Sequence, residues 1–174
     1  MNTQQWLDKV LSSQEELFHW LQRQFIGEVT AAQRIRALAI RRDIPEQYKR
    51  VVCKIAEDEV RHAVWVKALL DARGIAIPSI ENAEGRYWKP VLEAAEDFDT
   101  MAAAGHHAEG MRLVRIRALA ADERVDADIR EVFQKILPDE EFHELAFGAM
   151  ASADAIAFMR DKHEKGLELL GLEI

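Results

Sequence analysis

The chain is poor in cysteine, proline and glycine. Its 174 residues include one cysteine, four prolines and eight glycines. The single thiol, Cys53, excludes an internal disulfide and any four-cysteine zinc or iron site built within the chain. So few helix-breaking residues, with 49% apolar and 31% charged residues, favour a soluble and mainly helical protein over a disordered or disulfide-rich one. The length suits one domain, and we expect residues 1–174 to form it.

Positive charge and long apolar runs are also scarce. A net charge of −8 and a pI near 5.3 argue against sequence-independent binding to nucleic acid. The arginines of residues 34–42 recur at helical spacing, which indicates a solvated helix face rather than a nucleic-acid or lipid patch. No run approaches the roughly 18 apolar residues of a membrane span, and the first residues lack a basic segment followed by an apolar core. We therefore expect a cytoplasmic protein without a membrane contact.

Helical periodicity divides the chain into one short and four long segments. A short helix is predicted over residues 3–11. The four long predicted helices are A, from a capping box at Ser12 and Ser13 to about Arg42; B, from Pro45 to Gly74; C, from about Val91 to Asp122; and D, from about Asp126 towards Leu170. Residues 74–90 lack a clear period, as a crossover between two hairpins would. Helix D contains Pro138 and is expected to kink there or to break near residues 160–166.

A repeat relates the two halves of the chain. The string RIRALA occurs at residues 34–39 and again at 115–120, an offset of 81. The same offset carries Glu28 onto Glu109, and it carries the DE-x-x-H string of residues 58–62 onto that of residues 139–143. Over the windows 28–62 and 109–143, 13 of 35 positions are identical. The chain is therefore predicted to be a duplicated helical hairpin.

The repeat places acidic residues and histidines at one height. In each half, two glutamates stand 31 residues apart and equidistant from a predicted turn, so they face each other across the hairpin. A histidine follows the second glutamate by three residues and shares its helix face. A buried set of four carboxylates is strongly unfavourable unless cations neutralise it. The pattern therefore predicts a site for two divalent metals, although a solvated charged face is the ordinary explanation of any one such motif.

These motifs resemble those of the ferritin-like di-iron carboxylate proteins, a group that includes bacterioferritin, rubrerythrin and oxygen-activating di-iron enzymes. The resemblance covers about residues 13–160. It implies an all-α, antiparallel four-helix bundle built from repeat halves of about 13–74 and 91–160. A long crossover would join helices B and C, with a short N-terminal helix before the bundle and a C-terminal tail helix after it.

The resemblance implies a role for each repeated residue. Glu28 and Glu109 would be terminal ligands, Glu59 and Glu140 would bridge the metals, and His62 and His143 would each bind one metal. Asp58 and Asp139 would each accept the second N–H of a ligand histidine, with the histidine of the opposite repeat as one candidate. The alternative for both is an ordinary surface aspartate. The wording of residues 58–62 is similar to the Asp-Glu-x-Arg-His motif of oxygen-activating members, but Phe142 replaces the arginine in the second half.

The resemblance also implies a cofactor and a reaction class. The cofactor would be two iron ions, although carboxylate and imidazole ligands also suit manganese. Reduced iron would react with dioxygen or peroxide, and electrons would come from an external donor, because one cysteine cannot build rubrerythrin's cysteine-ligated iron module. Val60 stands where bacterioferritin has its haem-binding methionine. The protein would be an oxidase, oxygenase or peroxidase acting on a small or apolar substrate, or else a ferroxidase for iron storage or detoxification. The sequence leaves the oligomeric state open, with a homo-oligomer as one candidate.

Two further features lie near the predicted ligands. The small residues AAAG at 102–105 predict either a substrate cavity or close helix packing, at a level that we expect Leu21 and Val66 to share with Phe147. His106 precedes Glu109 by three residues. It would be an extra ligand or proton donor, or simply a histidine satisfied or exposed on the helix.

Overall fold

A computed structural model describes residues 1–77 and 85–173, and this part of the chain is helical without strands. The helices are α1 (Thr3–Val10), α2 (Gln14–Ala39), α3 (Glu46–Ala72), α4 (Gly85–Ala94), α5 (Phe98–Ala121), α6 (Ala127–Met150) and α7 (Ala153–Leu170). None of them, over the described ranges, is both long and apolar enough to cross a bilayer. The all-α prediction is confirmed.

Two helical hairpins form the bundle. Helix α2 packs along α3, α5 packs along α6, and α3 and α6 join the hairpins. Glu46, the first residue of α3, moves onto Ala127, the first residue of α6, when it is shifted by the sequence repeat of 81. Ser13 caps α2 by accepting the Glu16 N–H, whereas the Ser12 hydroxyl donates to the Lys9 carbonyl of the preceding helix. The predicted duplication is therefore visible in the backbone.

The two ends of the bundle carry separate apolar cores, and these cores fix the helix directions. Trp20 near the start of α2 shares one core with Leu70 at the end of α3 and with Ile116 towards the end of α5. The other core joins Ile35 of α2 with Phe147 of α6, among others. Helices α3 and α5 therefore point the same way, which is compatible with the predicted long crossover between them. The middle of that predicted crossover, residues 78–84, lies outside the described residues.

This topology corrects one expectation about levels in the bundle. Leu21 and Val66 belong to the first core, whereas Phe147 belongs to the second, on the other side of the predicted ligands. They do not share a level, because α3 and α5 run parallel and not antiparallel.

The second half of the crossover is a helix of its own, which corrects the predicted start of helix C. Helix α4 contains Val91 and ends at Ala94, and α5 begins only at Phe98. Asp97 caps α5 by a reciprocal pair of hydrogen bonds with Thr100. This cap, rather than the apolar period, decides where the bundle helix starts.

The predicted break of helix D is misplaced. Helix α6 continues past Pro138 to Met150. The helical structure is interrupted at Ser152, well before residues 160–166. Ser152 caps α7, and the Asp99 carboxylate accepts both its N–H and its hydroxyl at 2.6 Å. Helix α7 then packs on α4 and α5. Gly166, which suggested a break, lies inside α7 against the ring of Tyr87.

Candidate metal centre

The structure brings the six predicted ligands into one buried cluster. Glu28 comes from α2, Glu59 and His62 from α3, Glu109 from α5, and Glu140 and His143 from α6. Five of these residues have no exposed surface, and Glu109 is 4% exposed. Each pair of glutamate and histidine lies on one helix face because residues three apart are neighbours there. That the six bind metal remains a prediction.

The ligand atoms fall into two overlapping groups. One group comprises Glu28, Glu59, His62 and Glu140, and the other comprises Glu59, Glu109, Glu140 and His143; within each, the ligand atoms lie within 4.8 Å of one another. Glu59 and Glu140 belong to both groups. Glu28 and His62 belong to the first group alone, and Glu109 and His143 belong to the second alone. This division is compatible with the predicted pair of bridged metal positions.

Both histidines turn the same ring nitrogen towards the cluster. His62 Nδ1 lies 3.5 Å from Glu140 Oε1, and His143 Nδ1 lies 3.1 Å from Glu59 Oε1. The Nε2 atoms point outwards to aspartates. His62 Nε2 is 3.1 Å from Asp139 Oδ2, and His143 Nε2 is 3.4 Å from Asp58 Oδ2. Each histidine thus meets the aspartate of the opposite repeat, and an Nε2–H that donates there leaves the Nδ1 lone pair for a metal.

Basic residues keep the two aspartates ionised. The Arg61 guanidinium lies 2.7 Å from both Asp58 Oδ1 and Asp139 Oδ2, and Lys54 Nζ lies 2.5 Å from Asp58 Oδ2. Burial alone would raise the pKa of Asp58, but Lys54, Arg61 and His143 outweigh it and hold that pKa below its usual value. The pKa of Asp139 is likewise lowered, since Arg61 and His62 outweigh its burial. Arg61 therefore contacts the aspartates of both repeats. This explains why the second repeat can have Phe142 at the position equivalent to Arg61.

The carboxylates at the centre are electrostatically crowded. Burial and the neighbouring charge of Glu140 raise the pKa of Glu59 and of Glu109 well above the usual range. Burial also acts against ionised Glu140, but Arg112 and the two histidines outweigh it and lower the pKa of Glu140 well below the usual range. This is the pattern of a site in which positive charge is in short supply.

Polar atoms without a well-formed hydrogen bond converge on the same space. Seven buried atoms of the six residues make no hydrogen bond of good geometry, although several lie in ion-pair contact with Arg112 or with one another. They are Glu28 Oε2, Glu59 Oε1, Glu109 Oε2, Glu140 Oε1 and Oε2, and Nδ1 of His62 and His143. Each is a hard oxygen or an imidazole nitrogen, the donors that iron and manganese take in proteins. Leaving them unsatisfied costs free energy that coordination would recover. The residues therefore fit a pair of divalent ions.

Arg112 belongs to the same cluster, although it was not among the residues predicted from the sequence. It is 6% exposed, and its Nη2 lies 2.6 Å from Glu28 Oε2 and 3.5 Å from Glu140 Oε1. Burial disfavours the charge of Arg112, but Glu140 and Glu28, with Glu59 and Glu109, outweigh it and raise the pKa of Arg112 well above its usual value. Its spacing of three from Glu109 is the only clue, and in a chain with 31% charged residues that clue is weak.

Two other residues near the predicted ligands take roles of their own. Gln24 donates to Glu28 Oε1 at 2.6 Å and so orients the carboxylate. His106 lies 3.1 Å from Glu144 Oε1 and 3.2 Å from the Glu144 carbonyl, and it belongs to neither ligand group. His106 therefore has partners on the neighbouring helix, and its role as a ligand or proton donor stays a prediction.

The run at 102–105 is used mainly for close packing. Ala102 and Ala103 are fully buried, and a Cβ at Gly105 would lie 2.8 Å from the ring of Phe147. A small pocket remains beside Gly105, between α2, α4 and α5, with about 40 Å³ of free space. Glu109 and Arg112 are among its lining residues, and Trp88 of α4 lines it as well. The pocket therefore reaches the candidate metal centre from one side of the bundle.

The comparison with protein families agrees with this geometry. The family model described as Rubrerythrin matches residues 19–151, which is most of the chain and contains all six predicted ligands. The chain belongs to the rubrerythrin family. No curated protein and no solved structure matches it. The rubrerythrin family is part of the ferritin-like di-iron carboxylate superfamily, so the predicted resemblance is confirmed. Membership of this family suggests a protein of the di-iron type, and the buried carboxylate and histidine cluster is compatible with it.

Proposed function

We propose that this member of the rubrerythrin family is a non-haem di-iron oxidoreductase that reacts reduced iron with dioxygen or peroxide. The observation that carries the proposal is the pair of four-residue ligand groups sharing Glu59 and Glu140. Two ferrous ions held there would supply the electrons that reduce the oxidant, and an external donor would restore them. The same ligand set also suits manganese at one or both positions.

The residues of the chain would hold the ions and limit what reaches them. Glu59 and Glu140 would bridge the ions, while Glu28 and Glu109 would each bind one. Gln24 restrains the second oxygen of Glu28, whereas Glu109 faces the pocket. Glu109 is therefore the terminal carboxylate better placed to move when the oxidant enters.

The pocket supports a small oxidant or substrate. A cavity needs roughly 10–15 Å³ of such free space to hold one water, so about 40 Å³ suffices for about three or four water-sized groups. Dioxygen and peroxide fit within that limit. A larger apolar substrate would have to displace Trp88, the aromatic side chain that lines the pocket from α4. Within this class of reactions, peroxide reduction and a small-molecule oxidase fit the pocket best.

A ferroxidase that oxidises and stores or detoxifies iron is the alternative. The small pocket also suits this function, because dioxygen and a ferrous ion need less space than an organic substrate. Storage would also require an assembly of many copies around a common interior. The oligomeric state in solution therefore helps to separate the two functions.

The deciding experiment counts Fe(II) oxidised per chain. Metal-free protein is loaded anaerobically with Fe(II), and repeated additions are then made in air or with peroxide while the absorbance is recorded. Oxidation that stops at about two irons per chain until a reductant is supplied supports the oxidoreductase. Continued oxidation far beyond two, with iron retained in a large assembly by size-exclusion chromatography, supports storage.

A pair of variants tests whether the cluster is responsible. Glu59→Ala removes a shared ligand and should abolish oxidation. Glu141→Ala is the matched control, because Glu141 lies on α6 next to Glu140, is half exposed and pairs with Arg117. Parental activity in Glu59→Ala would refute the proposed site.

A further inference from the structure

The two candidate metal positions are not equivalent, because the buried cation Arg112 lies closer to Glu28, at 2.6 Å, than to Glu109, at 3.8 Å. The sequence repeat carries Ala31 of the first half onto Arg112 of the second. A methyl group therefore follows Glu28 by one turn, while a guanidinium follows Glu109. The predicted ligands are thus repeated in both halves, whereas the positive charge of Arg112 is present in the second half alone.

Arg112 contacts mainly the ligand atoms of one position. His62 Nδ1 lies 3.5 Å from Glu140 Oε1, whereas His143 Nδ1 lies 3.6 Å from Glu140 Oε2, so each position uses its own oxygen of Glu140. Arg112 Nη2 lies 3.5 Å from Glu140 Oε1, on the His62 side.

The other contacts of Arg112 have the same bias. Its Nη2 is 2.6 Å from Glu28 Oε2, the terminal carboxylate of the His62 position. Its Nη1 is 3.5 Å from Glu59 Oε2, whereas His143 faces Glu59 Oε1. The contact with Glu109, the terminal carboxylate of the His143 position, is the longest at 3.8 Å. The guanidinium thus stands closest to the ligand atoms that a metal beside His62 would use.

We propose that Arg112 makes the two metal positions unequal, so that the position of Glu109 and His143 fills first and the position of Glu28 and His62 fills second and exchanges its metal more readily. The inference rests on the proposed di-iron function. Its physical reason is that a divalent cation beside His62 must displace the guanidinium from Glu28 and then remain within a few ångströms of a buried positive charge. A cation beside His143 meets this opposition only weakly.

The fold provides space for the displaced side chain. Arg112 and Glu109 both line the pocket of about 40 Å³ between α2, α4 and α5. A rotation of the guanidinium towards this pocket would release Glu28 without disturbing the helix. The second metal would then enter as Arg112 leaves.

Titration of the metal-free full-length chain with Mn²⁺ tests the inference without requiring activity. Calorimetry gives the number and affinity of the binding steps, and electron paramagnetic resonance distinguishes an isolated Mn²⁺ from a spin-coupled pair. The parent should bind two ions in separate steps, with dissociation constants about tenfold or more apart. At one equivalent it should show isolated ions rather than pairs.

Variants of Arg112 should change the second step specifically. Arg112→Met should bring the two dissociation constants to within about threefold and should form coupled pairs below two equivalents. Arg112→Lys keeps a positive charge and should keep two steps. Arg117→Met is the matched control, because Arg117 is on the same helix, is 54% exposed and pairs with Glu141. Circular dichroism and urea unfolding establish that each variant is folded.

Ligand variants assign the order of filling. Glu28→Gln should leave the first step unchanged and weaken the second, whereas Glu109→Gln should weaken the first. Two equal steps in the parent, or the same two steps in Arg112→Met, would overturn the inference while leaving the di-iron function intact. Absence of any binding would overturn both.

Discussion

His62 Nε2 lies 3.1 Å from Asp139 Oδ2, although the two residues belong to different repeats. His143 and Asp58 form the reciprocal pair at 3.4 Å. Two histidine–aspartate contacts therefore link α3 and α6 beside the candidate metal centre. These pairs hold both imidazole rings with Nδ1 turned towards the cluster.

Replacing Asp139 should weaken metal binding without unfolding the protein. Asp139→Asn keeps the size of the side chain but removes the charge that favours an Nε2–H on His62, and such changes typically cost 10- to 100-fold in metal affinity. We expect at least about a tenfold loss in Mn²⁺ affinity by calorimetry. Glu141→Gln, two residues further along α6 and half exposed, should bind as the parent does. Equal affinity in both variants would contradict the orienting role of Asp139.

Metal should stabilise the fold as well as enable its chemistry. The buried carboxylates of Glu59, Glu109 and Glu140 repel one another in the metal-free chain, and bound cations remove that cost. With free Mn²⁺ at about one hundred times its dissociation constant, each occupied site adds about 2.7 kcal/mol to the free energy of unfolding. Each site then raises the melting temperature by roughly 5–10 °C. Differential scanning calorimetry with and without Mn²⁺ measures the shift. Glu59→Gln should lose most of it, and a shift of parental size in that variant would count against the site.

Acid should destabilise the protein through His163. This residue is 9% exposed, and its Nδ1 lies 2.9 Å from the Tyr87 hydroxyl. Burial, with the neighbouring His107 and His106, lowers the pKa of His163 from 6.5 to about 4. The unfolded chain then binds this proton more tightly than the folded chain, so the stabilising contribution is complete above pH 6.5 and is lost as the pH falls towards 4.

Comparison of unfolding at two pH values isolates this effect. Between about pH 7 and about pH 4.5, the parent should lose roughly 1–2 kcal/mol more unfolding free energy than His163→Gln, after allowance for solvent screening. Urea titrations of the metal-free proteins give both values. His19→Gln replaces a half-exposed histidine of α2 and serves as the control variant. The same loss in the parent and in His163→Gln would contradict the assignment.

Two glycines inside helices should respond oppositely to alanine. A Cβ at Gly166 would lie 2.5 Å from Tyr87 Cδ2 and 3.0 Å from the Tyr87 carbonyl oxygen, whereas a Cβ at Gly110 would meet nothing closer than 3.9 Å. Gly166→Ala should therefore cost about 1–3 kcal/mol by overpacking. Gly110→Ala should gain about 0.5–1 kcal/mol from helix propensity. Chemical denaturation distinguishes the two, and stabilisation by both would show that α7 can move away from α4.

The bundle could be predicted because its signals are local. The apolar period of α2, α3, α5 and α6 and the turns after Ala39 and Ala121 require only short stretches of chain. The boundaries that were wrong depend on distant contacts instead. The helix is interrupted at Ser152, where the N–H and the hydroxyl both donate to Asp99, 53 residues away. Helix α4 is likewise a separate helix, and it packs against α7.

The sequence by itself determined which residues could meet at the centre, because the Glu-x-x-His spacing fixes a helix face and the repeat of 81 residues sets two such faces at one height. Only the tertiary structure decided what surrounds them. The crosswise pairing of His62 with Asp139 depends on the contact of α3 with α6. The burial of Arg112 depends on which face of α5 turns inwards. Helical spacing defines a face, but long-range packing decides what that face meets, and Arg112 acquires its role only from the carboxylates that packing brings within reach.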